Sequence, residues 1–181
     1  PLTVENSGSP TAVTNDTVTR ASDSLRDGNF LVNSTLFRWD TSSITTDNVV
    51  HSASLSLTTA AGQVSTDGCV MYFDWVDAAS IWPIGTEDWV PTSSYIGSAR
   101  SGDLVDAYPV TDQTYTLPLS NVSNVNRSGY TGLRYGIRCA SKPTGSNYNR
   151  FYTFDFGNPA FRPTLTVVFV PSGPKLIVVT Q

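Results

Sequence analysis

Val49-Val50-His51-Ser52-Ala53-Ser54-Leu55-Ser56-Leu57-Thr58-Thr59 alternates with period two. Ala53, Leu55 and Leu57 point one way, and Ser52, Ser54, Ser56 and Thr58 the other. Alternation over that length is the mark of a half-buried antiparallel strand with hydroxyls on its wet face. The pattern recurs on either side. Residues 34–40 place Phe37 and Trp39 on one face and Leu36 and Arg38 on the other; residues 69–76 gather Cys69, Met71, Phe73 and Trp75. Further strands are expected at 13–20, 113–119, 132–139 (Leu133, Tyr135 and Ile137 inward), 150–156, 164–170 and 175–180. Between them lie a turn-rich loop at 21–29 and a long decorated connection at 77–112, with room for one helical turn at 77–82. Strands separated by long connections, with no helical period and no internal repeat, predict an all-β, two-sheet antiparallel β-sandwich. Its likeliest form is a jelly roll of about eight strands with extended terminal segments.

Composition agrees. The 181 residues are the length of one domain, able to bury roughly 70% of its unfolded surface without a staple. Only 14% are charged, well below the roughly 25% of ordinary globular domains, while 22 Ser and 23 Thr make up a quarter of the chain. Polarity therefore comes from hydroxyls, and Thr suits pleated strands while Ser, Gly, Asn and Asp make turns. A net charge of −4 with two lysines, Lys142 and Lys175, excludes the electrostatic footprint of a nucleic-acid binder. No apolar run approaches the roughly 18 residues that span a bilayer, so no membrane insertion is expected. Aromatic residues at 11% are too frequent for a disordered chain. The start, Pro1-Leu2-Thr3-Val4, has neither a basic nor an apolar stretch and shows no signal peptide; a mature form and a cytosolic product both fit. Cys69 and Cys139, both in strand-like runs, are expected as buried free thiols, although pairing cannot be read from sequence.

Three segments carry a family likeness. Leu36-Phe37-Arg38-Trp39-Asp40-Thr41-Ser42-Ser43-Ile44 is followed by the strand His51-Ser52-Ala53-Ser54-Leu55-Ser56-Leu57. The chain then reaches Gly157-Asn158-Pro159-Ala160-Phe161-Arg162-Pro163-Thr164-Leu165-Thr166-Val167. In order and separation these resemble the first strand and turn, the next strand and the closing segment of DNRLRE-type jelly-roll domains, over residues 14–170. The hexapeptide that names the family is absent. The resemblance implies a two-sheet jelly roll like those of carbohydrate-binding modules and of surface or virion proteins, and no activity. It divides the chain into an N-terminal arm at 1–13, a domain at 14–170 and a C-terminal strand or arm at 171–181.

Candidate functional residues are few. Arg162, before the final strand of the domain, is expected to fork onto a carboxylate, Asp40 or Asp155, and lock a strand corner rather than touch a ligand. Asp23, Asp27 and Asn29 offer oxygen ligands in one loop, but Asp-Gly-Asn is ordinary turn chemistry, so neither a bound calcium nor any other cofactor is expected. Trp75, Trp82, Trp89, Tyr95 and Tyr108 crowd into one region. They could stack sugar rings, serve an interface, or anchor core and loops. His51, the single histidine, has no partner at ligand spacing, and no enzymatic role is expected. The Asn-X-Ser/Thr triplets at Asn15, Asn33, Asn121 and Asn126 are no more than so much Ser and Thr produces by chance.

Two functions fit. In the first, the chain is a non-enzymatic structural protein of a virion or similar assembly, such as a phage capsid decoration or tail-associated protein. It would be a homo-oligomer partnered by a capsid or tail protein. The apolar run Leu176-Ile177-Val178-Val179 would be the assembly segment, added to a neighbour or folded back as the domain's own edge strand. In the second, it is an extracellular carbohydrate-binding module of a larger enzyme or adhesin, with a glycan as partner.

Overall fold

The computed structural model describes residues 18–26, 29–33, 35–61, 70–79, 111–138, 146–170 and 177–180. Regular structure among them is all strand apart from two short 3-10 turns, Val122–Asn124 and Pro159–Phe161. In chain order the strands are β1 Val18–Arg26, β2 Asn29–Asn33, β3 Thr35–Asp40, β4 Val49–Thr58, β5 Val70–Val76, β6 Thr114–Leu119, β7 Tyr130–Arg138, β8 Ser146–Tyr152, β9 Thr164–Val170 and β10 Ile177–Thr180.

The alternating strand β4 is interior to a four-stranded antiparallel sheet of order β10-β9-β4-β6. Its register aligns two rows of aliphatic side chains across three strands: Val167, Ala53 and Leu119 in one, Leu165, Leu55 and Leu117 in the other. All six are buried, Leu55 completely. The opposite face is held by hydroxyls, with Ser56 Oγ 2.9 Å from Thr116 Oγ1 and Thr58 Oγ1 2.7 Å from Thr114 Oγ1, both directly cross-strand. That pairing gives the Ser and Thr content a structural use.

A second, three-stranded sheet of order β3-β7-β5 contributes mainly rings. Phe37 and Trp39 on β3, Leu133 and Tyr135 on β7 and Phe73 on β5 are buried, and they join the aliphatic rows in one core cluster. Tyr135 stacks on Phe73 at 5.1 Å and lies 6.4 Å from Phe37. From β3 to β7 the chain changes sheet at every step. Within the sheets β4 lies between β9 and β6, and β7 between β3 and β5. The expected two-sheet antiparallel sandwich is present.

The two facing sheets hold seven strands rather than about eight, because β1, β2 and β8 form a sheet of their own, order β2-β1-β8. It joins the end of β4 through the bridge Thr59↔Phe151 and the bond from Ala60 N to Arg150 O, 2.9 Å. Phe151 is buried there against Tyr135, ring centroids 5.6 Å apart.

Two expectations change. Residues 21–26 belong to β1, not to a loop, and β2 begins at Asn29. Arg20, Ser22, Asp23 and Ser24 carry no apolar alternation to announce a strand, whereas Asp27-Gly28 is a two-residue hairpin signal. β8 runs from Ser146 to Tyr152, earlier than expected, and the chain then turns, with Phe156 N bonded to Thr153 O. The arm at 1–13, most of the 77–112 connection, Cys69 and Cys139 lie outside the described residues.

Because Leu55 is fully buried in the middle of a strand paired on both edges, Leu55→Ala is expected to destabilise by about 2–5 kcal/mol. Urea unfolding followed by circular dichroism checks it, with Val49→Ala, exposed at the end of β4, as a near-neutral control.

Candidate functional site

The turn between the 3-10 segment Val122–Asn124 and β7 is fixed by one buried hydroxyl. Thr41 Oγ1, just past β3, donates to Asn126 O at 2.6 Å, lies 2.9 Å from Gly129 O, and sits 2.7 Å from Thr131 Oγ1. Thr131 Oγ1 in turn accepts from Asn126 N at 2.9 Å, and Thr41 N donates to Gly129 O. Each hydroxyl has one proton and two lone pairs, so the chain Asn126 N–H to Thr131 to Thr41 to Asn126 O closes with no group wasted. Arg127 adds a clasp from outside, its guanidinium donating to Thr46 O at 2.8 Å and Asn48 O at 2.7 Å. The turn is thereby tied to the segment between β3 and β4.

Across from it, the end of β5 pairs with the start of β7. At Gly132, register partner of Val76, a Cβ would come within 2.7 Å of Val76 Cγ2 and 2.9 Å of Ala78 Cβ. Only glycine fits. Between these tied elements opens a cleft of about 240 Å³ lined by Trp75, Val76, Asp77, Asn124, Asn126 and Tyr130. Trp75 is half-buried, and its indole N–H donates to Ser120 O at 2.9 Å, which sets the ring's orientation. Tyr130 stands at the rim, 42% exposed, with the Arg38 guanidinium 4.5 Å from its ring centroid.

At another corner, Tyr152, Phe156 and Phe161 lie near-parallel, with centroids 3.9 to 6.0 Å apart. Arg162 belongs to this corner. Its Nε donates to Phe156 O at 3.0 Å, so it clasps a loop through a carbonyl instead of locking a carboxylate. Asp40 is out of that role because it is exposed and turned to its own neighbour, accepting from Ser42 N at 3.0 Å. The Ser42 hydroxyl and N–H hold the Asp40 carboxyl below its ordinary pKa. Asp155 is exposed on the same loop. The buried link to β3 is Trp39 Nε1, which donates to Pro163 O at 3.3 Å. Tyr152 OH donates to Asp112 Oδ1 at 2.7 Å, and that bond, with desolvation and the carboxylate's charge, raises the phenol pKa.

Of the aromatic platform, Trp75 alone falls in the described residues; Trp82, Trp89, Tyr95 and Tyr108 lie outside them. Asp23 and Asn29 sit in the β1–β2 hairpin and Asp27 lies outside. Among the described residues no three His, Cys, Asp or Glu side chains are grouped to hold a metal ion. His51 is exposed at the β4 irregularity between Val50 and Ser52. Ile177, Val178 and Val179 pair with Phe169, Val168 and Val167 of the same chain, the folded-back route of the two left open by sequence. Leu176 lies outside the described residues. Asn124, Asn126 and Tyr130 were missed by sequence reasoning because each looks like ordinary turn or strand-end chemistry.

Two outcomes follow from this geometry. Thr41→Val leaves Asn126 O and the Thr131 hydroxyl short of a partner and is expected to destabilise by about 1–3 kcal/mol in denaturant unfolding. Tyr152 has a folded-state pKa above its unfolded value, so the stabilisation it supplies is complete below the ordinary phenol range and is lost as pH rises through the raised value. Removing the carboxylate with Asp112→Gly, which keeps the positive φ of 63° unstrained, should return the Tyr152 titration, followed by ¹³C NMR of the phenol carbon, toward 10.0.

Compared with models of protein families the chain matches none, and no curated protein matches it; the functional reading rests on the residues and their geometry.

Proposed function

We propose that the chain is a non-enzymatic structural protein of a large assembly, of the kind a virion builds as capsid decoration or tail-associated protein. It would act through contacts with copies of itself and with a capsid or tail protein. The observation that carries this reading is the attachment of β10. It is four residues long, it is paired to β9 alone among the described residues, and it follows the breaker Pro171-Ser172-Gly173-Pro174. The run Leu176-Ile177-Val178-Val179 lacks the alternation of a strand with one wet face. Burying such side chains is worth about 1.5–3 kcal/mol each, whether the β9 beneath them belongs to the same chain or to a neighbour. A short strand behind a breaker can thus be exchanged between copies while its contacts stay the same, which is a low-cost route to symmetric assemblies. The sandwich behind it, whose core cluster joins the two facing sheets, supplies a body on which such an arm can be carried. The resemblance to DNRLRE-type jelly rolls fits this use.

Deleting residues 172–181 is expected to leave a folded, cooperatively unfolding sandwich by circular dichroism that has lost its oligomeric state in size exclusion with light scattering. A full-length chain that is monomeric overturns the reading. So does a truncated chain that unfolds, or one that keeps its oligomeric state.

A further inference from the structure

We propose that the cleft between the end of β5, the Val122–Asn124 turn and the start of β7 is a binding site for a single neutral sugar ring. It lies on the other sheet from β10 and stands independently of the assembly reading. The hydrogen-bonding balance of its walls carries the inference. Asn124 uses one of its two amide N–H groups on Asn121 O at 3.1 Å, which leaves its carbonyl oxygen as an acceptor and the second N–H as a donor. Asn126 does the reverse. Its Oδ1 accepts from Ser128 N at 3.0 Å and from Ser128 Oγ at 3.2 Å, which leaves the amide NH₂ as a donor. The site therefore presents the Asn124 carbonyl oxygen beside amide donors from adjacent turns, together with the Tyr130 hydroxyl and the Asp77 carboxylate, which already accepts from Ala79 N at 3.1 Å.

A sugar hydroxyl both donates and accepts, so neighbouring hydroxyls on one ring match an acceptor beside a donor. The apolar C–H face of the ring finds the indole of Trp75, whose own N–H is taken by Ser120 O and cannot compete for the ligand. The rigidity is already present: Thr41 and Thr131 hold the Asn126 turn, and Ser120 holds the indole, so binding orders little. Size and charge narrow the ligand. A cleft of about 240 Å³ lies below the roughly 300–1,000 Å³ of drug-sized pockets and suits one ring. A carboxylate in the wall, with no cation among the described lining residues and the Arg38 guanidinium engaged over the Tyr130 ring, disfavours phosphorylated or acidic sugars.

The test is NMR titration of the intact chain, ¹⁵N-labelled, with free neutral hexoses and N-acetylhexosamines at millimolar concentration, and with a uronic acid and a sugar phosphate in parallel. The expected result is a saturable shift of the Trp75 indole and of the Asn124 and Asn126 side-chain amides with at least one neutral sugar and none with the acidic ones. Asn124→Ala and Tyr130→Ala, both at exposed positions that leave the core intact, should each weaken that binding at least about tenfold, the loss of one good hydrogen bond or ring contact. The proposal is overturned if no neutral sugar shifts those signals. It is equally overturned if the acidic sugars bind as well, or if binding survives both substitutions unchanged.

Discussion

The structure depends on one burial constraint, the inward face of β4. Ala53, Leu55 and Leu57 are buried in a strand paired on both edges, so β6 and β9 must each bring aliphatic side chains to the same level, and they do, with Leu117, Leu119, Leu165 and Val167. An aliphatic layer built this way needs a second layer over it. The β3-β7-β5 sheet supplies one made mostly of rings, which cover large areas and lock one another through stacked and tilted contacts. The two-sheet sandwich follows from satisfying both layers at once.

The second principle of this fold is polarity carried largely by hydroxyls in a charge-poor sequence. Among the described residues, hydroxyls and backbone carbonyls fasten several corners and strand pairs: Thr41 and Thr131 at one turn, Ser56 with Thr116 and Thr58 with Thr114 between strands, and Arg127 and Arg162 aimed at carbonyl oxygens. Such bonds are directional and little affected by salt, and they fix turns in single geometries. A consequence is that Asn124, Asn126 and Trp75 are held in place by hydrogen bonds within the chain. The cleft proposed as a sugar site is thus supported by the same hydroxyls that make the sequence look merely Ser- and Thr-rich.

The assembly proposal and the sugar proposal use opposite properties of the fold. β10 is short, follows a double-proline breaker and touches one neighbouring strand among the described residues, so it can be exchanged. The cleft is bounded by strands and turns cross-tied through residues 41, 75, 126 and 131, so it can discriminate. A protein that docks by one sheet and recognises by the other would have reason to keep the two features apart.

The local strands were legible wherever the period-two pattern was strong. Phe37, Trp39, Ala53, Leu55, Leu57, Leu133, Tyr135, Leu165 and Val167 are all buried on the face that alternation assigns them, because alternation is imposed by the pleat itself. Composition likewise determined that the class is all-β, since hydroxyl-rich, charge-poor sequence favours strands and turns. The continuation of β1 to Arg26 was not legible, because a strand whose residues are mostly polar leaves no periodic trace. Arg162 was legible as a fastener but not in its partner: whether a guanidinium meets a carboxylate or a carbonyl depends on which groups the tertiary fold brings within 3 Å, and here it is Phe156 O. The cleft was the least visible. Trp75, Asn124, Asn126 and Tyr130 are up to 55 positions apart along the chain and share no motif; only the pairing of β5 with β7, and the absence of a Cβ at Gly132 that permits it, puts them around one space.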